Sequence, residues 1–546
     1  MNYGHEVFGE GTSQRSMRGA GSRAWGDANQ PLLPDLVGRL AVTRADGVAY
    51  ADGERSLSWA EIASRRLALT GALAELGMKQ GDGTGIIASD RVELLEHWHA
   101  CLVGGYVRVG INWRYSPREI DHIVQDADLR VIFIEDRFSD QLAAEIHRWR
   151  DEGRVLVGIG AGHDLEHDMR ALCDHADGEP AAVGPNDTVA VSYTSGTTGW
   201  PKGAILTHGA AGAALFATAL GAGLRSDDVI LNNLPGSGFP IFIHTHAVAV
   251  GATTVLPTRF SAEGSLELIE QHGVTVMFCV PTMLHGIEEL ARVRGITNTS
   301  LRTVVTLGSP SVPAVVDRVR RTLGCEVQNW YGSTEATGAV CQLRPWDLTE
   351  LSAEPEMVGR CVGRPMAHVD LVIRGEDGRE VPRGAVGEIC VRGAVMAGYL
   401  GRPAETAAAL HHGWLRTGDL GSQDSRGFVY VTDRKKFMII SGGYNVYPAV
   451  VENALAEHPD VGEVAVVGAP HEKWGEVVVA VVVPVGERKV SATALIDYCA
   501  PRMGKWEVPK HIEFVEELPK GTTGKVQKSE IRQWFDQRPE LLPWNS

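Results

Sequence analysis

The sequence is short of positive charge, has no paired-cysteine motif and contains no long apolar run. Its 52 Lys and Arg face 68 Asp and Glu, a net charge of −16. The overall field therefore repels nucleic acid and acidic membrane surfaces, and any anionic ligand must be held locally. The eight cysteines (Cys101, Cys173, Cys279, Cys325, Cys341, Cys361, Cys390 and Cys499) include no C-x-x-C pair and no His at ligand spacing. They read as reduced core thiols of a cytoplasmic protein. Residues 1–30 have no apolar h-region, which argues against a secretory signal and for a flexible tail. Residues 229–258 carry no Asp, Glu, Lys or Arg, but Asn232, Asn233, Pro235, Pro240, His244 and His246 interrupt them. A buried core and ligand pocket is expected there rather than a membrane span. No G-x-x-x-x-G-K-[ST] occurs, so the nucleotide chemistry is not that of a P-loop ATPase.

What is present is enough apolar material for several cores: 44% of 546 residues, with 63 glycines for tight turns. β-branched runs alternate with helical patterns, as in 274–280, 282–292 and 301–307, which predicts an α/β fold. A helix is expected over 209–224. Short strands at 369–373, 387–392 and 428–432, separated by Gly and Pro turns, predict a small β-barrel-like module. The charge cluster Asp433-Arg434-Lys435-Lys436 marks a boundary. The expected organisation is a tail (1–30), a large domain of layered α/β subdomains with the β-module (31–433), and a small mobile α+β domain (434–546). The end beyond Trp534 reads as a frayed tail.

The run Tyr193-Thr194-Ser195-Gly196-Thr197-Thr198-Gly199-Trp200-Pro201-Lys202-Gly203 follows a strand pattern at 188–193 and is expected to precede a helix. Its glycines free backbone N–H groups to form an anion nest, four hydroxyls add donors and Lys202 adds a positive charge, so polyphosphate is the expected ligand. Glu335 is the only carboxylate in Tyr331-Gly332-Ser333-Thr334-Glu335. An acidic oxygen there suits Mg²⁺ bridging to phosphate, with Thr334 donating to the same phosphates. Asp419, in the turn Thr417-Gly418-Asp419, can accept both hydroxyls of a ribose, and Arg434 can reach the same sugar. Lys525, in a glycine-flanked loop, is a mobile ammonium able to neutralise charge growing on phosphate.

With these motifs in this order, joined by Gly387-Glu388, Arg392-Gly393, Ser441-Gly442-Gly443 and the segment 521–528, the chain resembles the adenylate-forming superfamily. That group comprises acyl-CoA synthetases, carrier-protein-loading adenylation domains and luciferases. The resemblance covers about residues 56–528, and free-standing acyl-CoA synthetases are the nearest type. It implies ATP, Mg²⁺ and coenzyme A as cofactors, and a carboxylic acid activated as acyl-AMP and passed to a thiol. It places Lys525, Glu335 and Thr194 at the reaction, with Glu335 and Thr194 on the metal side. Thr194 to Gly199, Lys202, Gly332 and Thr334 would lie along the phosphates, and Asp419 and Arg434 on the ribose. Gly308, Ser309 and Pro310 with Asn329, Trp330 and Tyr331 would enclose the adenine. Ser441, Gly442 and Gly443 would face CoA after a swing about Lys436, within a hinge at 433–436.

The acyl pocket is expected at Gly236, Ser237, Gly238, Phe239, Gly332 and Gly338. Small residues replace the aromatic-His pair common in the superfamily after a Leu-Pro (here Leu234-Pro235). They leave volume for a bulky or hydrophobic acid; alternatively the backbone shifts and His244 or His246 substitutes. Trp200, in the phosphate loop, could crowd pyrophosphate, which would leave an enzyme that thioesterifies a pre-formed acyl-AMP. A stand-alone enzyme that loads a carrier protein is a further reading, as is a nucleotide-binding pseudoenzyme. A homodimer is compatible with the resemblance; nucleic acid and a membrane span are not expected.

Overall fold

The computed structural model describes residues 33–53, 55–194, 200–297, 299–308, 313–351, 358–434, 437–441, 444–471, 474–486, 490–521 and 526–544. Within them lie three sheets. In the largest, the parallel strands Thr253–Val255, Val229–Asn232, Val276–Cys279, Thr303–Leu307 and Glu326–Ser333 are neighbours in that order. Their near-continuous apolar runs suit strands buried on both faces. The helices Ala262–His272 and Pro281–Val293 lie in the connections between these strands. An antiparallel group, Cys361–Pro365, Val369–Arg374, Gly387–Gly393, Trp414–Gln423 and Val429–Arg434, continues the same sheet as the expected β-rich module.

The second sheet sets the parallel strands Thr188–Thr194, Val107–Gly110, Gly83–Ile87, Val131–Glu135 and Val155–Ile159 side by side. After the second of these strands by sequence, Ser116-Pro117-Arg118-Glu119 starts a helix, Pro117–Asp126. The Ser116 hydroxyl accepts from Glu119 N, and the Glu119 carboxylate accepts from Ser116 N. This reciprocal cap is worth about 1 kcal/mol and fixes which side chains the first turn shows to solvent. The third sheet lies wholly in the C-terminal segment, with Val461–His471 and Gly475–Pro484 as its longest pair.

Two expectations fail. Residues after the phosphate loop form a strand, Lys202–Thr207, before the helix His208–Ala222, so the loop joins two antiparallel strands and does not open a helix. Burial alternates over Ala204-Ile205-Leu206-Thr207, as in a strand, and this segment pairs with 188–194 before the helix begins. The end beyond Trp534 is also anchored: the helix runs Lys528–Gln537, Leu542 is buried, and Trp544 donates to Pro470 O at 3.1 Å. The tail 1–30 lies outside the described residues. All eight cysteines are buried and unbridged, and no described helix is long and apolar enough to cross a membrane.

Candidate active site

The strands Thr188–Thr194 and Lys202–Thr207 close with Thr194 opposite Lys202, so the two ends of the phosphate loop face each other. Ser195, Gly196, Thr197, Thr198 and Gly199 lie outside the described residues. The Lys202 ammonium is paired with Glu405, whose carboxyl is lowered first by that hydrogen bond. Arg402 backs the same carboxylate at 3.5 Å. Trp200 is turned onto the helix Pro117–Asp126. Its ring lies 4.7 Å from the His122 imidazole, with the Arg118 guanidinium 5.0 Å from its centre. That ring packs against a helix face, and residues 195–199 beside it lie outside the described residues.

Thr194 Oγ1 donates to Glu335 Oε1 at 3.4 Å, and the Tyr399 hydroxyl donates to the same oxygen at 3.1 Å. Tyr399 arrives on a two-residue strand, Gly398–Tyr399, hydrogen-bonded to the strand that follows the phosphate loop. Sequence reading missed Tyr399 and Glu405, because their partners are 64 and about 200 residues away and only strand pairing joins them. The turn presenting Thr334 and Glu335 closes through Thr337 N to Thr334 O at 3.0 Å, with Thr337 at φ 53°. A β-branched residue in the left-handed region is strained, and such strain gathers at functional turns.

Asp419 is buried and accepts from the Tyr331 hydroxyl at 2.6 Å. Burial and then that carboxylate hold the Tyr331 phenol well above its ordinary value, so it stays a donor. Asp419 and Arg434 are direct partners on neighbouring strands, although the Arg434 side chain lies outside the described residues. Asn329 pairs with Thr306 across parallel strands, and its Nδ2 donates to Thr306 Oγ1 at 3.1 Å. Gly308, at φ 90°, ends that neighbouring strand; Ser309 and Pro310 are outside the described residues. Trp330 departs from expectation. Strand alternation turns its indole away from the face of Asn329 and Tyr331, into a cluster with Phe278 at 5.5 Å and His246 at 6.2 Å.

The acyl side corrects a second expectation. A side chain at Gly236 would meet His244 Nε2 at 2.4 Å, and one at Gly332 would meet Gly338 O at 1.8 Å. Those glycines permit close packing and leave no volume. At Gly238 the nearest atom is Pro240 Cδ at 3.8 Å, so the open space is there. Phe239 rests against Gly338 and meets Phe242 at 5.1 Å, which in turn meets Trp98 at 5.1 Å.

Two buried charges clamp this loop. Asp90 Oδ1 accepts from Gly236 N at 2.5 Å, and Arg108 Nη2 donates to Gly236 O at 3.0 Å and Ser237 O at 3.4 Å. Arg108 is 1% exposed, and burial pushes its guanidinium down to about 10. His244 lies 3.4 Å from Asp90 beneath the loop. His246 meets Thr218 Oγ1 at 2.8 Å and is held down to about 3 by burial, so it serves the core as a neutral ring. His246 thus belongs to the core, whereas the His244 ring lies directly against Gly236.

In the C-terminal segment Ser441 ends the strand Ile439–Ser441 and is buried. Gly442, Gly443, Lys436 and Lys525 lie outside the described residues. Asp433 accepts from Ala449 N at 2.8 Å, tying the charge cluster to the first turn of the helix Pro448–Ala456.

The family described as AMP-binding enzyme matches residues 39–400, and the AMP-binding enzyme C-terminal domain matches 450–525. The chain is 37% identical over 516 residues to an indoleacetate–CoA ligase of Aromatoleum aromaticum, covering 92% of this chain and 98% of the relative. It is 35% identical over 510 residues to a feruloyl-CoA synthase of an Amycolatopsis species, covering 91% and 98%. Among solved structures, the amide bond synthetase McbA from Marinactinospora thermotolerans superposes with a TM-score of 0.82 at 31% identity, covering 92% of this chain and 100% of that one.

Proposed function

The chain belongs to the AMP-binding enzyme family, and from that membership we propose that it is an ATP-dependent acid–CoA ligase for a bulky, aromatic carboxylic acid. The observation that carries the nucleotide half is the meeting of Thr194, Lys202, Glu335 and Tyr399 at the two ends of one loop. The acid's class rests on the ring-lined ground beyond Gly238, formed by Phe239 and Phe242, and on two relatives named for aromatic acids.

Thr194 and Glu335 offer only oxygen, the donor type Mg²⁺ takes. That ion, when bound, neutralises phosphate charge. Among the described residues no three His, Cys, Asp or Glu side chains converge as a metal cluster, so nucleotide oxygens and water would complete its shell. ATP phosphates compete with Glu405 for Lys202. Asp419 takes the ribose hydroxyls once Tyr331 yields, with Arg434 beside it. The carboxylate oxygen attacks the α-phosphorus as its bond to pyrophosphate breaks, and Lys525 neutralises the charge that develops. The thiol sulfur then attacks the acyl carbon and AMP leaves.

In this reading residues 31–433 form the large domain and 434–546 the small one. Lys436 is the hinge, and Ser441, Gly442 and Gly443 face CoA in the second step. The cytoplasm is its proposed location. Incubation with MgATP and indole-3-acetate or hydroxycinnamates, with and without CoA, tests the proposal by mass detection of pyrophosphate, AMP and acyl-CoA. Lys525→Ala should lower pyrophosphate formation by about a hundredfold or more. Failure of every aromatic acid to yield pyrophosphate would sink the proposal.

A further inference from the structure

The helix Pro117–Asp126 buries Ile120, Ile123 and Val124 in the core of the second sheet, which fixes the direction of the stripe on its other side. Arg118, His122 and Asp126 recur every fourth residue along that stripe and so stand one above another on one face. Each meets a residue that flanks the phosphate loop. The Arg118 guanidinium lies 5.0 Å from the centre of the Trp200 ring, and the His122 ring 4.7 Å from the same indole. His122 Nε2 donates to Pro201 O at 3.3 Å. Asp126 Oδ2 accepts from the Tyr193 hydroxyl at 2.7 Å. One helix face therefore touches the chain just before Thr194 and just after Gly199.

Asp126 carries the contact further. Its Oδ1 faces Arg402 Nη2 at 4.0 Å, Arg402 holds Glu405 at 3.5 Å, and Glu405 pairs with Lys202. The circuit joins Tyr193 to Lys202 without passing through the loop between them. Burial and then the Asp126 carboxylate raise the Tyr193 phenol, so it stays a donor. The helix is itself tied down, since Asp121 accepts from Trp149 Nε1 at 2.9 Å. A loop with Gly196 and Gly199 among hydroxyl residues has many backbone states, and a nest holds phosphate only while its N–H groups converge. Every residue that must be ordered on binding weakens the complex, and contacts that fix the flanks beforehand reduce that loss. An indole that is 37% exposed is not there to fill a core, but it is long enough to bridge loop and helix.

We propose that Arg118, His122 and Asp126 are positioning residues for the adenylation step, which hold the flanks of the phosphate loop through Trp200, Pro201 and Tyr193 in the form that takes the β- and γ-phosphates of ATP. The inference rests on the reading of the chain as an ATP-dependent ligase. The helix acts through the loop and not on the reacting atoms. Trp200 is then an anchor of the loop.

Equilibrium binding of MgATP and of AMP to the full-length protein separates this role from a general structural one, because AMP lacks the phosphates that the loop takes. In Arg118→Ala/His122→Ala the Kd for ATP should rise about tenfold while that for AMP stays within about twofold. Trp200→Ala should do the same, and combining it with the double variant should add little, since both remove one contact. Trp200→Phe, which keeps a ring beneath the guanidinium, should recover part of the loss. Thioester formation from a supplied acyl-AMP should be unchanged in all of them. Unmoved ATP affinity in a double variant that melts like the wild type overturns the proposal, and so does equal weakening of ATP and AMP. Fully additive losses would show that the helix does not act through Trp200, and tighter ATP binding by Trp200→Ala would make the indole an obstruction; either overturns it. All of these leave the ligase reading intact, whereas a wild type that binds neither ATP nor AMP overturns that reading itself.

Discussion

At the phosphate end of the site, the groups that would meet ligand sit opposite one another on hydrogen-bonded strands, Thr194 beside Lys202 and Asp419 beside Arg434. At the acyl end, a loop of small residues is held in shape by Asp90 and Arg108, 146 and 128 residues away in sequence. The two ends answer different demands. A polyphosphate site needs charges and hydroxyls of fixed type, so its residues recur as a motif. A pocket for an organic acid needs a backbone of fixed shape, and distant buried groups can impose that shape.

The contrast breaks most visibly at Glu335. Glu335→Gln keeps the side chain's size and its turn but removes the carboxylate that Thr194 and Tyr399 hold. Pyrophosphate formation should fall by about a hundredfold, with little change in thermal stability. Stopped-assay measurement of pyrophosphate beside a melting curve checks both. A melting temperature that falls with the activity would make Glu335 a structural anchor.

Asp90→Asn probes the other end. It trades a charged acceptor for a neutral one on Gly236 N, a change of about 1–2 kcal/mol, so the KM for the acid should rise about tenfold while that for ATP stays within about twofold. Equal movement of both constants would show that the clamp serves the whole site and not the acyl loop. Asp90→Glu, which restores the charge on a longer arm, should recover part of the loss.

Legibility in the sequence follows the same division. The alternation of strands and helices and the β-rich module could be read because each depends on local pattern, and Glu335 and Asp419 were singled out by residue type within short motifs. The clamp could not: Asp90 and Arg108 lie in ordinary segments, and only the approach of the two sheets brings them to Gly236. The same cause misled the reading of Gly236 and Gly332, since a glycine that opens a pocket and one that admits a neighbour look alike in sequence. Trp330 failed through strand alternation, which sends adjacent residues of one motif to opposite faces.

Tyr399→Phe is a milder test of the phosphate end. Glu335 Oε1 keeps Thr194 but loses the closer of its two donors, 3.1 against 3.4 Å. A hydrogen bond from a hydroxyl to a carboxylate is worth about 1.5 kcal/mol, so the Mg²⁺ concentration for half-maximal pyrophosphate formation should rise about tenfold. A change in the KM for the acid alone would assign Tyr399 to the wrong half.

The smallest effect is expected at Gly238, where the acyl loop has its one open position. A Cβ there would meet only Pro240 Cδ at 3.8 Å, an ordinary contact, so Gly238→Ala should fold with an unchanged melting temperature. Gly236→Ala, whose Cβ would press on buried His244, should lose about 1–3 kcal/mol of stability. If Gly238 faces the acid, its methyl group occupies volume that only the larger substrates need. Rates on small aliphatic acids should then hold while kcat/KM for bicyclic aromatic acids drops severalfold, the range one methylene commands in an apolar pocket. Identical loss across small and large acids would mean that the loop moves as a unit, and that its shape is set by Asp90 and Arg108 less tightly than their hydrogen bonds imply.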